Sequence, residues 1–134
     1  IIVDSGSDIP QDIADKYNIG VISFLSIFGT EQYVQRTEIT NEQFFDKLEE
    51  YDGIPTTSQT PFGDMLDYFK QQCEEHESVI YFALSSAASG QYQTANLVKS
   101  EIEEEIPNDG FSHCRYAEVF SVHCTNRRSC GANG

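Results

Sequence analysis

Val79-Ile80-Tyr81-Phe82-Ala83-Leu84-Ser85-Ser86-Ala87-Ala88-Ser89-Gly90-Gln91-Tyr92-Gln93 is the stretch on which the reading of this chain turns. It opens as an unbroken apolar run of β type, and Tyr92 to Val98 continues with helical patterning. A buried strand thus passes into a helix through three serines and a glycine. The first N–H groups of a helix lack partners within it, and the helix dipole adds a partial positive charge there. A carboxylate or phosphate is the natural guest of such a junction. Small hydroxyl side chains let an anion approach and can donate to it. The same residue types also make an ordinary helix cap and turn, so the segment by itself leaves both readings open.

Outward from this junction, apolar runs alternate with helical patterns. Ile1-Ile2-Val3 ends at Asp4-Ser5-Gly6-Ser7-Asp8, and Pro10, behind Ser7 or Asp8 as cap, starts a helix to Tyr17. Its apolar positions are Ile9, Ile13, Ala14 and Tyr17. Ile19 to Phe28 reads as one second strand, Gly29-Thr30 as a turn, and Glu31 to Arg36 as a short return. Thr40 with Gln43 forms a capping-box start for a helix whose apolar face is Phe44, Phe45, Leu48 and Tyr51. After Thr56-Thr57-Ser58-Gln59-Thr60-Pro61, a helix from Phe62 to Glu77 turns Met65, Leu66, Tyr68 and Phe69 inward. The strand at 79–84 and a helix to Glu105 follow, and Pro107-Asn108-Asp109-Gly110 breaks the pattern. This alternation predicts an α/β fold, a parallel sheet covered by helices. Ala117 to Val122 reads as one further strand.

The 134 residues suffice for one domain with a real core, and 39% hydrophobic content with nine Phe and seven Tyr argues against disorder. A net charge of −14 argues against nucleic acid or an anionic membrane surface as partner, and its plain meaning is solubility. No run approaches the ~18 apolar residues of a membrane span. No basic-then-apolar leader opens the sequence, and cytoplasmic residence is the expectation. Chemistry changes near Gly110. All acids but Glu118 precede it, whereas Arg115, Arg127, Arg128, Cys114, Cys124 and Cys130 follow it. We therefore read residues 1–110 as the domain and 111–134 as an atypical tail. His113, Cys114, His123, Cys124 and Cys130 have no zinc-ligand spacing, so no metal is expected.

Three segments are rich in hydroxyls: Asp4 to Ser7, Thr56 to Thr60 and Ser85 to Ser89. The first and third directly follow apolar strands, and loops at the carboxyl ends of parallel strands converge on one edge where ligands bind. Three such loops at one edge exceed what capping requires. Asp4 could serve as a nucleophile or metal ligand, but position 6 is Gly rather than a second acid. Bonding to the amides of its own turn is the simpler role. No phosphate loop ending in Lys-Ser or Lys-Thr and no G-x-S-x-G occurs.

Together these segments resemble the DegV family of bacterial fatty-acid-binding proteins. Its members carry D-S after the first strand, Y-x-I before the second, a T-S-Q-P-like loop, and S-S-x-x-S-G-x-Y-Q-x-A after the next strand. Here these stand as Asp4-Ser5, Tyr17-Asn18-Ile19, Thr57-Ser58-Gln59, and Ser85 to Ala95, over residues 1 to about 106. Thr60 stands where members have Pro, and Gln35 where Asp is common. The resemblance implies an EDD-type α/β protein with a second domain, which supplies basic and His partners to the ligand. It implies a long-chain fatty acid whose carboxylate is held by Thr56, Thr57, Ser58, Ser85, Ser86, Ser89 and Gly90. It implies presentation of that lipid to a separate fatty-acid kinase, with no cofactor and no catalysis by the chain itself. The second domain is expected to be missing here, with a truncated or frame-shifted reading of a longer gene explaining the tail. Weak or no lipid binding by this chain alone is then expected. The alternatives are an enzyme processing a small phosphorylated or carboxylated metabolite through Asp4, and an inactive fragment.

Overall fold

The computed structural model describes residues 1–76, 78–87, 89–105 and, as backbone, 116–122. In chain order, β1 (Ile2–Asp4) leads through a 3-10 turn (Ser5–Ser7) to α1 (Gln11–Tyr17) and β2 (Gly20–Ile22). Then come β3 (Leu25–Phe28), β4 (Glu31–Val34), α2 (Asn41–Glu50) and β5 (Thr56–Ser58). The unit closes with α3 (Phe62–Glu75), β6 (Ser78–Leu84), α4 (Gln91–Glu105) and β7 (Tyr116–Val122). Residues 111–115 and 123–134, with their Cys and His, lie outside the described residues.

The α/β expectation holds. A parallel four-stranded sheet has the order β2-β1-β6-β7, with Ile2 beside Gly20 on one side and Tyr81 on the other. The further strand read at 117–122 is β7, paired in parallel along all of β6 from Ser78 and Tyr116 to Leu84 and Val122. One face of the sheet carries the main core. Ile2, Ile22, Val79, Tyr81 and Ala83 pack against Met65, Phe69 and Cys73 of α3 and Ala95, Val98 and Ile102 of α4. The inward face expected for α3 is therefore right in Met65 and Phe69, with Leu66 and Tyr68 partly buried at its edge.

Four local expectations need correction. The run Ile19 to Phe28 is two strands rather than one, because the chain leaves the parallel sheet at Ser23-Phe24. Beyond that break β3 joins a separate antiparallel sheet, β4-β3-β5. Apolar continuity carried no mark of the break, which is fixed by the Phe24 N–H donating to Ser5 Oγ at 3.0 Å. The segment Thr56 to Thr60 is partly strand, since Thr56, Thr57 and Ser58 pair with Ile27, Ser26 and Leu25. For α1, neither Ser7 nor Asp8 caps the helix: Pro10 occupies the cap position without a side-chain bond, and of the four apolar positions only Ala14 is buried. α3 ends at Glu75 rather than Glu77.

The capping box of α2 is present as read. Thr40 Oγ1 accepts from the Gln43 N–H at 3.2 Å, and Gln43 Oε1 accepts from the Thr40 N–H at 3.0 Å. Phe44 is partly buried against Phe28, whereas Phe45, read as part of the same face, is 61% exposed. Gly29, with φ of 63°, supplies the left-handed residue that the tight β3–β4 turn needs.

Candidate functional site

β1 and β6 are adjacent and parallel, so the turns that follow them open at the same edge of the sheet. A partly buried bond joins them: the Leu84 N–H donates to Asp4 Oδ2. Asp4 is only 2% exposed, and the N–H groups of Gly6 and Ser7 lie near its carboxylate without closing a capping bond. Burial pushes the carboxyl above its ordinary value, and these donors together with the Tyr81 hydroxyl pull the other way. The Tyr81 hydroxyl is itself buried beside Asp4 and Gln91 without a hydrogen bond of normal geometry. Burial first, and the Asp4 charge second, push its phenol well above the ordinary range. Asp4 thus faces its own turn and the end of β6, the simpler of the two roles read for it.

The second hydroxyl segment, Thr56 to Thr60, arrives from the small sheet. Because β5 pairs with β3, which leaves β2 at the same edge, Thr57 and Ser58 are delivered beside the serine turn. The result is a pocket of about 420 Å³ lined by Phe24, Thr57, Ser58, Gln59, Leu84, Ser89 and Gly90. Ser89 Oγ accepts from the Gln91 N–H at 3.2 Å and so caps the start of α4. Gly90 lies under the Gln59 side chain, whose amide occupies the space a Cβ would need. Ser85 Oγ accepts from the Ala87 N–H at 3.3 Å, while the Ser85 carbonyl accepts from the Ser89 N–H at 3.0 Å.

Of the seven residues named for the ligand, Thr57, Ser58, Ser89 and Gly90 come together in this pocket. Thr56, Ser85 and Ser86 are not among its lining residues. Thr56 is exposed on β5, and Ser85 and Ser86 lie half-buried in the turn below. Sequence reasoning missed Phe24 and Leu84, which give the pocket its apolar side. Their signal was position, at the break after β2 and at the last residue of β6. It also missed the use of Ser5 and Gln35. Ser5 Oγ donates to Gln35 Oε1 at 2.7 Å, and Gln35 Nε2 donates to Ser26 Oγ at 3.0 Å, tying the first turn to the small sheet.

The lining supplies neutral donors and a helix start for an anion, with apolar surface beside them. Among the described residues no group of three or more His, Cys, Asp or Glu could hold a metal ion. Nor is any described helix long and apolar enough to cross a membrane.

The DegV family model, that of an uncharacterised protein family, matches residues 1–129. A DegV domain-containing protein of Clostridium perfringens is 37% identical over 105 residues, which are 78% of this chain and 38% of that protein. Among solved structures, a DegV family protein of Thermus thermophilus, described by its fatty acid binding, is 28% identical with a TM-score of 0.71. That likeness covers 90% of this chain and 39% of the other. A stearic-acid-binding protein of Eubacterium ventriosum, 21% identical, shares the fold at a TM-score of 0.76 over 90% of this chain and 39% of its own. The chain thus spans less than half the length of these relatives. Motifs, fold and matches agree, and the chain belongs to the DegV family.

Proposed function

We propose that this chain forms the head-group side of a fatty-acid-binding site and carries the lipid rather than transforming it. One observation carries the reading: the pocket at the sheet edge combines Thr57, Ser58 and Ser89 with the start of α4 and the apolar Phe24 and Leu84. A carboxylate would take hydrogen bonds from the hydroxyls, and its tail would leave over the apolar side. Among the described residues, no lysine, arginine or histidine lines this pocket. The anion would therefore be held by neutral donors and the helix dipole, against a chain of net charge −14. The fatty-acid binding described for DegV relatives supports this reading, and presentation to a separate kinase is the use we infer for it. Thr56, Ser85 and Ser86 would then shape the loops around the head group.

Titration of the ¹⁵N-labelled chain with octanoate tests it, with octanol as the uncharged control. Octanoate should shift the amides of Ser58, Gln59, Ser89 and Gly90, and octanol should leave them largely in place. Ser58→Ala and Ser89→Ala should each weaken octanoate about tenfold or more, the worth of one hydrogen bond to a charged group. Equal responses to octanol and octanoate would remove the carboxylate from the proposal.

A further inference from the structure

Gln91 is the first residue of α4 and is completely buried, a position where a helix usually shows polar side chains to water. Burying an amide is costly unless its atoms are bonded. Both ends of this one are, and to the same residue. Gln91 Oε1 accepts from the Thr60 N–H at 3.0 Å, and Gln91 Nε2 donates to Thr60 Oγ1 at 2.9 Å. Thr60 Oγ1 in turn donates to the Ser23 carbonyl at 2.8 Å. Three segments are therefore locked together: the exit of β2, the exit of β5 and the head of α4.

The lock sits directly behind the pocket. Gln59, one residue before Thr60, and Gly90, one residue before Gln91, both line it, and the Gln59 side chain lies over Gly90. Each jaw of the pocket is thus joined to the other one residue behind its lining. A bidentate side-chain pair fixes orientation as well as distance, which a single bond would not. Thr60 must have its N–H for this, so a proline at 60 could not take part.

We propose that Gln91 is a positioning residue, whose buried amide holds the Thr57-Ser58-Gln59 segment against the start of α4 and sets the width of the pocket. The choice of octanoate as probe rests on the fatty-acid reading of the site; the geometry of the lock does not. Gln91→Met keeps side-chain length and removes both polar atoms. In the ligand-free ¹⁵N-labelled chain, it should free the Thr60 amide to exchange and displace the amide shifts of Ser58, Gln59, Ser89 and Gly90. The amides of Val79, Tyr81 and Val98 should stay in place. Octanoate affinity should fall about tenfold. Thr60→Val, which leaves Gln91 Nε2 unpaired, should give a smaller change of the same pattern, and Thr60→Ser should behave as the parent chain. A lower melting temperature with unmoved loop shifts and unchanged octanoate affinity would reduce Gln91 to a stabilising residue and overturn the proposal. If Gln91→Met does not fold, the loop shifts of Thr60→Val against Thr60→Ser decide. If octanoate fails to bind the parent chain, that result bears on the fatty-acid reading and not on the lock, which the ligand-free shifts judge.

Discussion

Replacing Asp4 by alanine is expected to cost about 2 kcal/mol, and to lower the melting temperature by roughly 5–10 °C. The carboxylate, 2% exposed, takes the Leu84 N–H and lies near those of Gly6 and Ser7. Alanine would remove the acceptor of the Leu84 N–H and leave the buried space of the carboxylate unfilled, a loss of about 1–3 kcal/mol. Asp4→Asn keeps one acceptor oxygen and should lose about half as much. The pH dependence separates this role from an ordinary salt-bridged acid. Burial raises the folded carboxyl above its ordinary 3.8, so the folded chain holds this proton more tightly than the unfolded chain. The stability it contributes is fully present below 3.8 and is lost as pH rises through the raised folded value. Urea denaturation of the parent and Asp4→Asn chains between about pH 7 and pH 4 isolates the group, because Asn does not titrate. The difference should move in favour of the parent on acidification. Movement the other way would mean that the backbone donors outweigh burial and hold the carboxylate in its charged form.

The features that were legible in the sequence share a physical cause: short-range pattern. The apolar run at 79–84, the serine junction and the Thr40–Gln43 box are each decided within a few residues, and each stands as read. What escaped the sequence depends on pairing between distant segments. Nothing in Val21 to Phe28 marks Ser23-Phe24 as the point where one sheet is exchanged for another, because Ser5, nineteen residues away, holds the break. The hydroxyls of Thr56 and Thr57 look equivalent in sequence. Register against β3, set by the pairing of Thr57 with Ser26, places Thr57 in the pocket and Thr56 one step outside its lining. Ser85, Ser86, Ser89 and Gly90 were all marked by type, and of the four Ser89 and Gly90 are among the residues lining the pocket. Gln91 occupies an unmarked place within S-G-x-Y-Q, and its partner Thr60 is a departure from the family pattern. Only the fold reveals that the two are bonded to each other.

Phe28→Ala is expected to have the largest effect of any single substitution considered, about 3–5 kcal/mol, and to deliver it to one part of the molecule. Phe28 is 3% exposed at the end of β3, and its ring centroid lies 5.3 Å from that of Tyr51, 5.4 Å from Phe44 and 6.4 Å from Tyr33. Lys47 closes the cluster from outside, 5.6 Å from the Phe28 centroid and 2.5 Å from the Glu31 carboxylate. This ring therefore joins α2 to the β4-β3-β5 sheet. The main core contains residues of β1, β2, β6, α3 and α4 and none of this cluster. With two hydrophobic centres and, among the described residues, no strand pairing between the sheets, loss of the second centre should open the small sheet and α2 ahead of the rest. Hydrogen exchange reads this directly. The amides of β3 and β5 should exchange about 100-fold faster or more, the equivalent of about 3 kcal/mol, while those of Tyr81, Ala83 and Val98 change little. Phe28→Leu, which refills most of the space, should recover much of the protection. Octanoate binding should fall in step with the opening of β5, because that strand brings Thr57 and Ser58 to the pocket. Uniform acceleration across both sheets would instead make them a single cooperative unit. The jaw carrying Thr57 and Ser58 could then not move independently of the sheet beneath it.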